Sequence, residues 1–320
     1  MRRIAVLTSG GDAPGMNAAI RAVVRRALAN KDVRVFGVER GFAGLMEGKL
    51  TELRSNSVAD IIHRGGTILH TARSEEFKTE QGQEQAIRTL STFGIEGLIV
   101  IGGDGSFRGA EALARRGVKI VGVPGTIDND VSCTDFTIGF DTAVNTVLEA
   151  MNRVRDTAIS HGRVFVIEVM GRDKGFIALA SGLAGGAESI LVPEVPFDLD
   201  EVAARVRRSR NRGKSHSIII CAEGAARGFD VARAIEERTG LETRVTVLGY
   251  IQRGGTPSAA DRALGTMLGA KAVDGLLSGH SGVMAGVSGG KPVLVPLETV
   301  FNTVKGIDLE QYELAMALGI

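Results

Sequence analysis

Cysteine is almost missing from this chain. Cys133 and Cys221 are the only two, too few for a disulfide framework or a CxxC zinc site, and such sparse use fits a reducing cytosol, so a cytoplasmic location is expected. Net charge is missing too: Lys+Arg 38 against Asp+Glu 37 leaves +1. No broad basic field exists for nucleic acid or an anionic membrane, so neither partner is expected and any anion site must be local. Long hydrophobic runs are also lacking. The amino-terminal "MRRIAVLTSGG" has only a short apolar run before glycines, so it reads as a first strand, not as a signal peptide or a membrane span. No low-complexity segment or short internal repeat is visible. What is left, 320 residues with 44% hydrophobic and 23% charged, suits two ordinary globular domains with a sizeable core.

Glycine is abundant, at 43 residues against only 7 prolines. The glycines cluster just after apolar runs instead of forming linkers, which marks strand ends where backbone must come close to something. The runs "RIAVLTS", "VRVFGV", "GLIVIGG", "VKIVGVP", "RVFVIEVM", "SIIICAEG" and "RVTVLG" are β-branched and nearly continuous, as parallel strands covered on both faces should be. Helical patterns fill the gaps. Asp141 to Arg155 puts Val144, Val147, Leu148, Met151 and Val154 on one face, and Met16 to Leu28 does the same with Ile20, Val23, Val24 and Ala27. Alternating strand and helix means an α/β fold.

Two common nucleotide signatures fail. "TSGGDAPGMNAA" follows the first strand and opens a helix at about Pro14 or Gly15, so its amides and helix dipole suit phosphate, although a tight turn needs no ligand. A dinucleotide fingerprint needs glycines at i, i+2 and i+5, and Gly10, Asp12 and Gly15 do not supply them. The "GKS" at Gly213 to Ser215 has Arg208 where a Walker A loop needs its first glycine.

Two other stretches carry more chemistry. In "IGGDGSFRGA", Asp104 sits among three glycines, and backbone amides there can take phosphate oxygens while the carboxylate holds Mg²⁺ bridging to them. Taken alone, GGDG also occurs in kinases of NAD and of lipids. In "VPGTIDND" a hydrophobic run ends at Pro124 and is followed by Thr126, Asp128, Asn129 and Asp130, just past a strand's carboxyl end, where open α/β sheets place ligand chemistry. One Asp there is explained by a turn; two carboxylates two positions apart repel unless a cation lies between them.

With "TSGGDAPGMNA", "GGTILHTAR", "MGR" at Met170 to Arg172, "AEG" at Ala222 to Gly224 and "QRGG" at Gln252 to Gly255, these motifs resemble, nearly end to end, the bacterial ATP-dependent 6-phosphofructokinase family. The resemblance implies two similar three-layer α/β domains with mainly parallel sheets and the active site in the cleft between them. The larger, 1–139 with 253–306, would bind ATP; the smaller, 140–252 with 307–320, fructose 6-phosphate. It implies Asp128 as the base that deprotonates the sugar's 1-hydroxyl and Asp104 as the Mg²⁺ carboxylate. Gly11, Arg73, Ser74, Gly103, Asp104, Gly105 and Ser106 match the ATP site, and Thr126 and Arg172 groups near the transferred phosphoryl. Ile127, Met170, Gly171 and Glu223 fall in the sugar site. Arg163, Arg244 and Arg253 match 6-phosphate ligands, the first two reaching in from a neighbouring subunit of a homotetramer.

The resemblance also implies an effector site for ADP or phosphoenolpyruvate, made by Arg21, Arg25, Arg155, Gly186, Glu188, Arg212, Lys214, Ser215 and His216. Ser215 stands where a Lys is frequent, Tyr250 replaces a usual His at the 6-phosphate, and Phe42 replaces a usual Tyr near adenine, where stacking survives loss of the hydroxyl. In pyrophosphate-dependent relatives the positions of Gly105 and Gly125 tend to be Asp and Lys. Glycine at both leaves room and favours ATP. The alternatives are a pyrophosphate-dependent enzyme, or a catalytically silent sugar-phosphate sensor, against which the joint presence of Asp104, Thr126, Asp128 and Arg172 argues.

Overall fold

The computed structural model describes residues 1–319 and divides into two compact units, Met1–Thr142 with Arg253–Lys305, and Ala143–Gln252 with Gly306–Ile320. Unit 1 opens with β1 (Arg3–Thr8), β2 (Arg34–Val38), β3 (Leu50–Leu53), β4 (Gly97–Gly102) and β5 (Ile120–Pro124). Unit 2 holds β6 (Val164–Val169), β7 (Ser189–Leu191), β8 (Ser217–Ala222) and β9 (Thr243–Val247), after which the chain returns to unit 1 for β10 (Val283–Ser288) and β11 (Lys291–Pro296).

The unit 1 sheet has the order β11-β10-β5-β4-β1-β2-β3. Its interior is parallel, and only the edge strands β3 and β11 run antiparallel to their neighbours. Continuous β-branched runs make sense there because both faces are covered. On one face Leu7, Val38, Leu98, Val100 and Ile120 pack with Phe42, Leu45, Phe77, Leu90 and Leu113. Helices Met16–Leu28 and Ala259–Leu277, in mutual contact, belong to the layer that buries Ile4, Val6, Ile99 and Ile101 on the other. Each such side chain contributes about 1.5–3 kcal/mol when fully buried. Register pairs Thr8 with Ile101 and Gly102 with Pro124, so β1, β4 and β5 end level and their three following loops lie side by side.

Unit 2 is a four-stranded, all-parallel sheet in the order β7-β8-β6-β9. Val164, Val166, Leu191, Ile219 and Cys221 bury against helices Leu199–Asn211 and Gly228–Thr239. The last helix, Leu309–Leu318, is capped by Asp308 and rejoins this unit, where Tyr312 Oη donates to the Ile190 carbonyl at 3.2 Å.

Several elements differ from the sequence reading. The helix expected over Asp141 to Arg155 runs Phe140–His161, and the first helix starts at Met16, with Gly15 as its left-handed cap. β3, β7, β10 and β11 are additional strands: β3 and β11 are half-exposed edges, β7 has three residues, and β10 is built largely of small side chains. The start of the Phe140–His161 helix is anchored by buried Asp261, whose carboxylate accepts from Gly139 N and Thr142 N at 2.8 Å each and from Thr142 Oγ1 at 2.6 Å. Among the described residues no helix is long and apolar enough to cross a membrane.

Candidate active site

The loops after β1 and β4 touch. Ser9 N donates to the Ile101 carbonyl at 3.0 Å, and the segment carrying Arg73 and Ser74 is tied to the first turn by Thr71 Oγ1, which donates to the Gly10 carbonyl at 2.7 Å. Ser74 accepts from Phe77 N at 3.2 Å, closing a short turn, while Arg73 stays exposed. Arg253 lies directly on the first turn, because a Cβ built on Gly11 would stand 2.9 Å from Arg253 Nη1. A guanidinium against backbone amides is a ready anion site. Phe42 is buried and stacked on Phe77, with centroids 4.1 Å apart and planes 9° apart, so one ring face already serves the core.

After β4, helix Asp104–Ala114 begins with Gly103 as its cap and no side chain on its first amides, which leaves donors and the positive dipole end for an anion. Asp104 is half-exposed and pairs with Arg108 one turn on, Nε to Oδ2 at 2.9 Å, while Arg108 also lies 4.9 Å from the Phe301 ring centroid. Ser106 is buried. Around Gly105 nothing comes within 4 Å of a built Cβ, so this glycine faces open space, as the ATP reading wants. Gly125 does not. Its built Cβ would meet Ile101 Cγ2 at 3.0 Å and Met16 Cε at 3.1 Å, so the residue is a glycine because of core packing beneath the loop, not because a ligand needs the room.

The loop after β5 reaches across to this helix start: a Cβ on Gly103 would lie 3.5 Å from Thr126 Cβ. Thr126 N donates to the Ile138 carbonyl at 3.0 Å, Thr137 Oγ1 to the Thr126 carbonyl at 2.6 Å, and Asp128 N to Thr126 Oγ1 at 3.2 Å. Ile127 and Asp128 are 3% exposed, so this carboxylate is taken largely out of bulk water at the strand's carboxyl end. Gly11, Arg73, Ser74, Gly103, Asp104, Gly105, Ser106, Thr126, Asp128 and Arg253 all fall on this edge of unit 1.

Among the described residues no group of three or more His, Cys, Asp or Glu is placed to cage a metal. One accessible carboxylate, Asp104, beside an uncapped helix start is the donor set that fits a divalent cation completed by phosphate oxygens and water, the usual habit of Mg²⁺.

Unit 2 gathers a second group. Glu223 Oε1 accepts from Gly171 N at 3.2 Å and Arg172 N at 2.8 Å, holding Arg172 in the left-handed region at φ 53° with its side chain exposed. Such a conformation costs about 1–2 kcal/mol in an ordinary residue, so the carboxylate offsets strain at a loop tip. Met170 beside it is buried. Arg163 and Arg244 both pair with Glu242, the first at 2.6 Å, and their hydrogen bonds and charges hold the Glu242 carboxyl below its usual range. Tyr250 is 78% exposed.

The sequence matches the family described as Phosphofructokinase over residues 3–276. It is 58% identical over its whole length to a protein named ATP-dependent 6-phosphofructokinase from Natranaerobius thermophilus and 57% identical to one of that name from Bacillus subtilis, each covered completely. The chain belongs to the phosphofructokinase family. Among solved structures, Pichia pastoris phosphofructokinase in the T-state superposes with a TM-score of 0.91 at 36% identity; 99% of this chain matches, and it spans 37% of the yeast chain. A pyrophosphate-dependent phosphofructokinase from Marinobacter aquaeolei matches with a TM-score of 0.85 at 26% identity, covering 97% of this chain and 86% of the other.

Of the residues the family resemblance places in an effector site, five come together in unit 2. Buried Glu188 accepts from Ile218 N at 2.5 Å and pairs with Lys214, Arg155 donates to the Gly185 carbonyl beside Gly186, and His216 stands close enough to feel Glu188, Lys214 and Arg155. Burial pushes the His216 imidazole below its ordinary value, with Glu188 pulling the other way. Arg212 caps helix Leu199–Asn211 and Ser215 is exposed. Arg21 and Arg25 lie on helix Met16–Leu28 of unit 1, one half-buried and one exposed. Sequence reasoning missed Arg108, Glu242 and Lys305, and gave Asn129 no role of its own. Arg108 had a signal in its i, i+4 spacing from Asp104; Lys305 had none.

Proposed function

We propose that this chain is an ATP-dependent 6-phosphofructokinase of glycolysis, transferring the γ-phosphoryl group of ATP to the 1-hydroxyl of fructose 6-phosphate. The observation that carries the reading is the meeting of two loops in unit 1: an uncapped helix start bearing Asp104 lies against Thr126, two residues before buried Asp128. Phosphoryl transfer asks for positioning and charge neutralisation more than for covalent chemistry, and these groups supply both.

In this reading Asp128 takes the proton of the 1-hydroxyl as its oxygen attacks the γ-phosphorus. The bond from that phosphorus to the bridging oxygen breaks, giving ADP and fructose 1,6-bisphosphate. Amides of Gly11 and of Gly103 to Ser106, with Arg73 and Ser74, hold the nucleotide, and Thr126 and Arg172 bear on the transferred phosphoryl. Met170, Gly171 and Glu223 line the sugar site, while Arg163, Arg244, Tyr250 and Arg253 bind the 6-phosphate. Asp104 would hold Mg²⁺, which when bound neutralises phosphate charge. Unit 1 is thus the nucleotide unit and unit 2 the sugar-phosphate unit.

Regulation by ADP or phosphoenolpyruvate at Arg21, Arg25, Arg155, Gly186, Glu188, Arg212, Lys214, Ser215 and His216, assembly as a homotetramer and a cytoplasmic location belong to the same proposal. Exposed Val247, Tyr250 and Ile251 beside Arg244 support a subunit contact. Both cysteines are free, and burial pushes the Cys221 thiol up to about 12, which suits a protein without disulfides.

The test is initial rates in a coupled assay with fructose 6-phosphate and either ATP or pyrophosphate. Turnover with pyrophosphate alone would overturn the donor assignment. Gly105→Asp sharpens it: the built Cβ meets nothing, so the fold should tolerate the change, while KM for ATP should rise roughly tenfold or more, a loss of about 1.4 kcal/mol of binding. An unchanged KM for ATP with an unchanged melting temperature would remove Gly105 from the nucleotide site.

A further inference from the structure

The turn bearing Asp128 carries no cation of its own. From Val123 to Asp135 the sequence reads VPGTIDNDVSCTD, with Asp128, Asp130 and Asp135 and no Lys or Arg. The counter-charge arrives from Lys305, the last residue of unit 1 before the chain passes into unit 2. Its half-buried Nζ donates to Asn129 Oδ1 at 2.9 Å and to the Asp135 carbonyl at 3.2 Å. Asn129 follows Asp128 directly, holds φ 53°, and uses the same Oδ1 to accept from Thr137 N at 3.0 Å. Thr137 in turn donates to the Thr126 carbonyl. One ammonium therefore sits at the root of hydrogen bonds that span the turn from Thr126 to Thr137.

We propose that Lys305 is a positioning residue for phosphoryl transfer, fixing the left-handed turn at Asn129 and through it the place of the Asp128 carboxylate. This rests on the reading of Asp128 as the base. A half-buried cation facing carboxylates is less screened than one in open water and so helps to fix geometry, and a displacement of about 1 Å at a reacting group costs on the order of 10²-fold in rate. Asp130 and Asp135, both on the turn, are among the charged groups that face Lys305; burial pushes the ammonium down to about 8 while those two carboxylates pull it up. Lys305 thus loses its proton just above neutrality. Because that value lies below the ordinary 10.5, the folded chain binds fewer protons here between about 8 and 10.5, so this group's contribution to stability rises with pH. An activity loss above pH 8 is then not unfolding driven by Lys305.

The experiment is a double-mutant cycle in the full chain with Lys305→Met and Asp128→Ser, read by steady-state kinetics. Lys305→Met should lower kcat by roughly 10- to 100-fold while KM for ATP and fructose 6-phosphate stays within about threefold, and in the Asp128→Ser background it should change the residual rate by less than about threefold. Lys305→Arg, which keeps its charge, should restore most of kcat and move the alkaline limb of its pH profile upward from about 8. Unchanged kcat, a rise in KM alone, or the full loss repeated without Asp128 would each overturn the proposal. If Lys305→Met does not fold, Asn129→Gly, which tolerates φ 53° and removes Oδ1, enters the same cycle with the same expected split. Normal turnover of Asp128→Ser would instead sink the base assignment, whereas an inactive Asp128→Ser beside a fully active Lys305→Met sinks only the role of Lys305.

Discussion

Asp128→Ser should leave a folded chain that has lost nearly all turnover. A positioned base contributes roughly 10²–10⁴-fold, equivalent to about 2.7–5.4 kcal/mol of barrier, and the loss should fall on kcat because the carboxylate acts on a proton that moves only in the transition state. The fold should survive: the turn is held by Thr126, Asn129 and Thr137, and the Asp128 backbone keeps its bond to Thr126 Oγ1. Coupled-assay rates together with a melting curve check both halves. Turnover near that of the unchanged chain would mean that the base lies elsewhere.

Gly224→Ala should be nearly as damaging, although the residue touches no reacting atom. A Cβ built there would overlap the Arg172 carbonyl oxygen and stand 3.1 Å from Asp173 Cα, both backbone, so no side chain can swing aside. One of the two turns must move, and the one from Met170 to Asp173 is tied at its tip to Glu223 through the amides of Gly171 and Arg172 and closed by Lys174 N, which donates to the Gly171 carbonyl at 3.0 Å. Shifting that turn by about an ångström moves the Arg172 guanidinium, and the expected cost is about 10²-fold in kcat/KM. Stability should suffer little, because Glu223, Gly224 and Arg172 are exposed while β6 and β8 beneath them are buried. A variant with kcat/KM within about threefold of the parent would show that the turn does not set the position of Arg172.

The interior strands were readable because covering a sheet on both faces forces a continuous β-branched run, as in "GLIVIGG" and "SIIICAEG". Edges were not. β3 and β11 are half exposed, so their patterns are diluted, and β10 supplies the space between β5 and β11 with Ala285 and Gly286 instead of large side chains. The three loops of unit 1 were legible for a related reason: Gly, Asp and Thr concentrated at strand ends are costly unless backbone or charge is wanted there. What sequence could not give is direction. Gly105 and Gly125 look alike in one dimension, yet one faces open space and the other a core made by Ile101 and Met16. Nor could spacing reveal Lys305, which reaches Asn129 from 176 positions away, or the way Glu242 holds Arg163 and Arg244 together.

The return of the chain to unit 1 has a consequence for how the molecule is made. All four strands of unit 2 lie between residues 164 and 247, so its sheet is complete when little more than three quarters of the chain has left the ribosome. Unit 1 has five strands by residue 124, but the neighbour of β5 on its far side is β10, which begins at Val283. Throughout synthesis of unit 2, then, β5 presents a bare parallel edge of Ile, Val, Gly and Val, immediately before the loop of Asp128. The sheet begun first is the last to close, and the nascent chain's exposed edge is the strand whose following loop carries the candidate base.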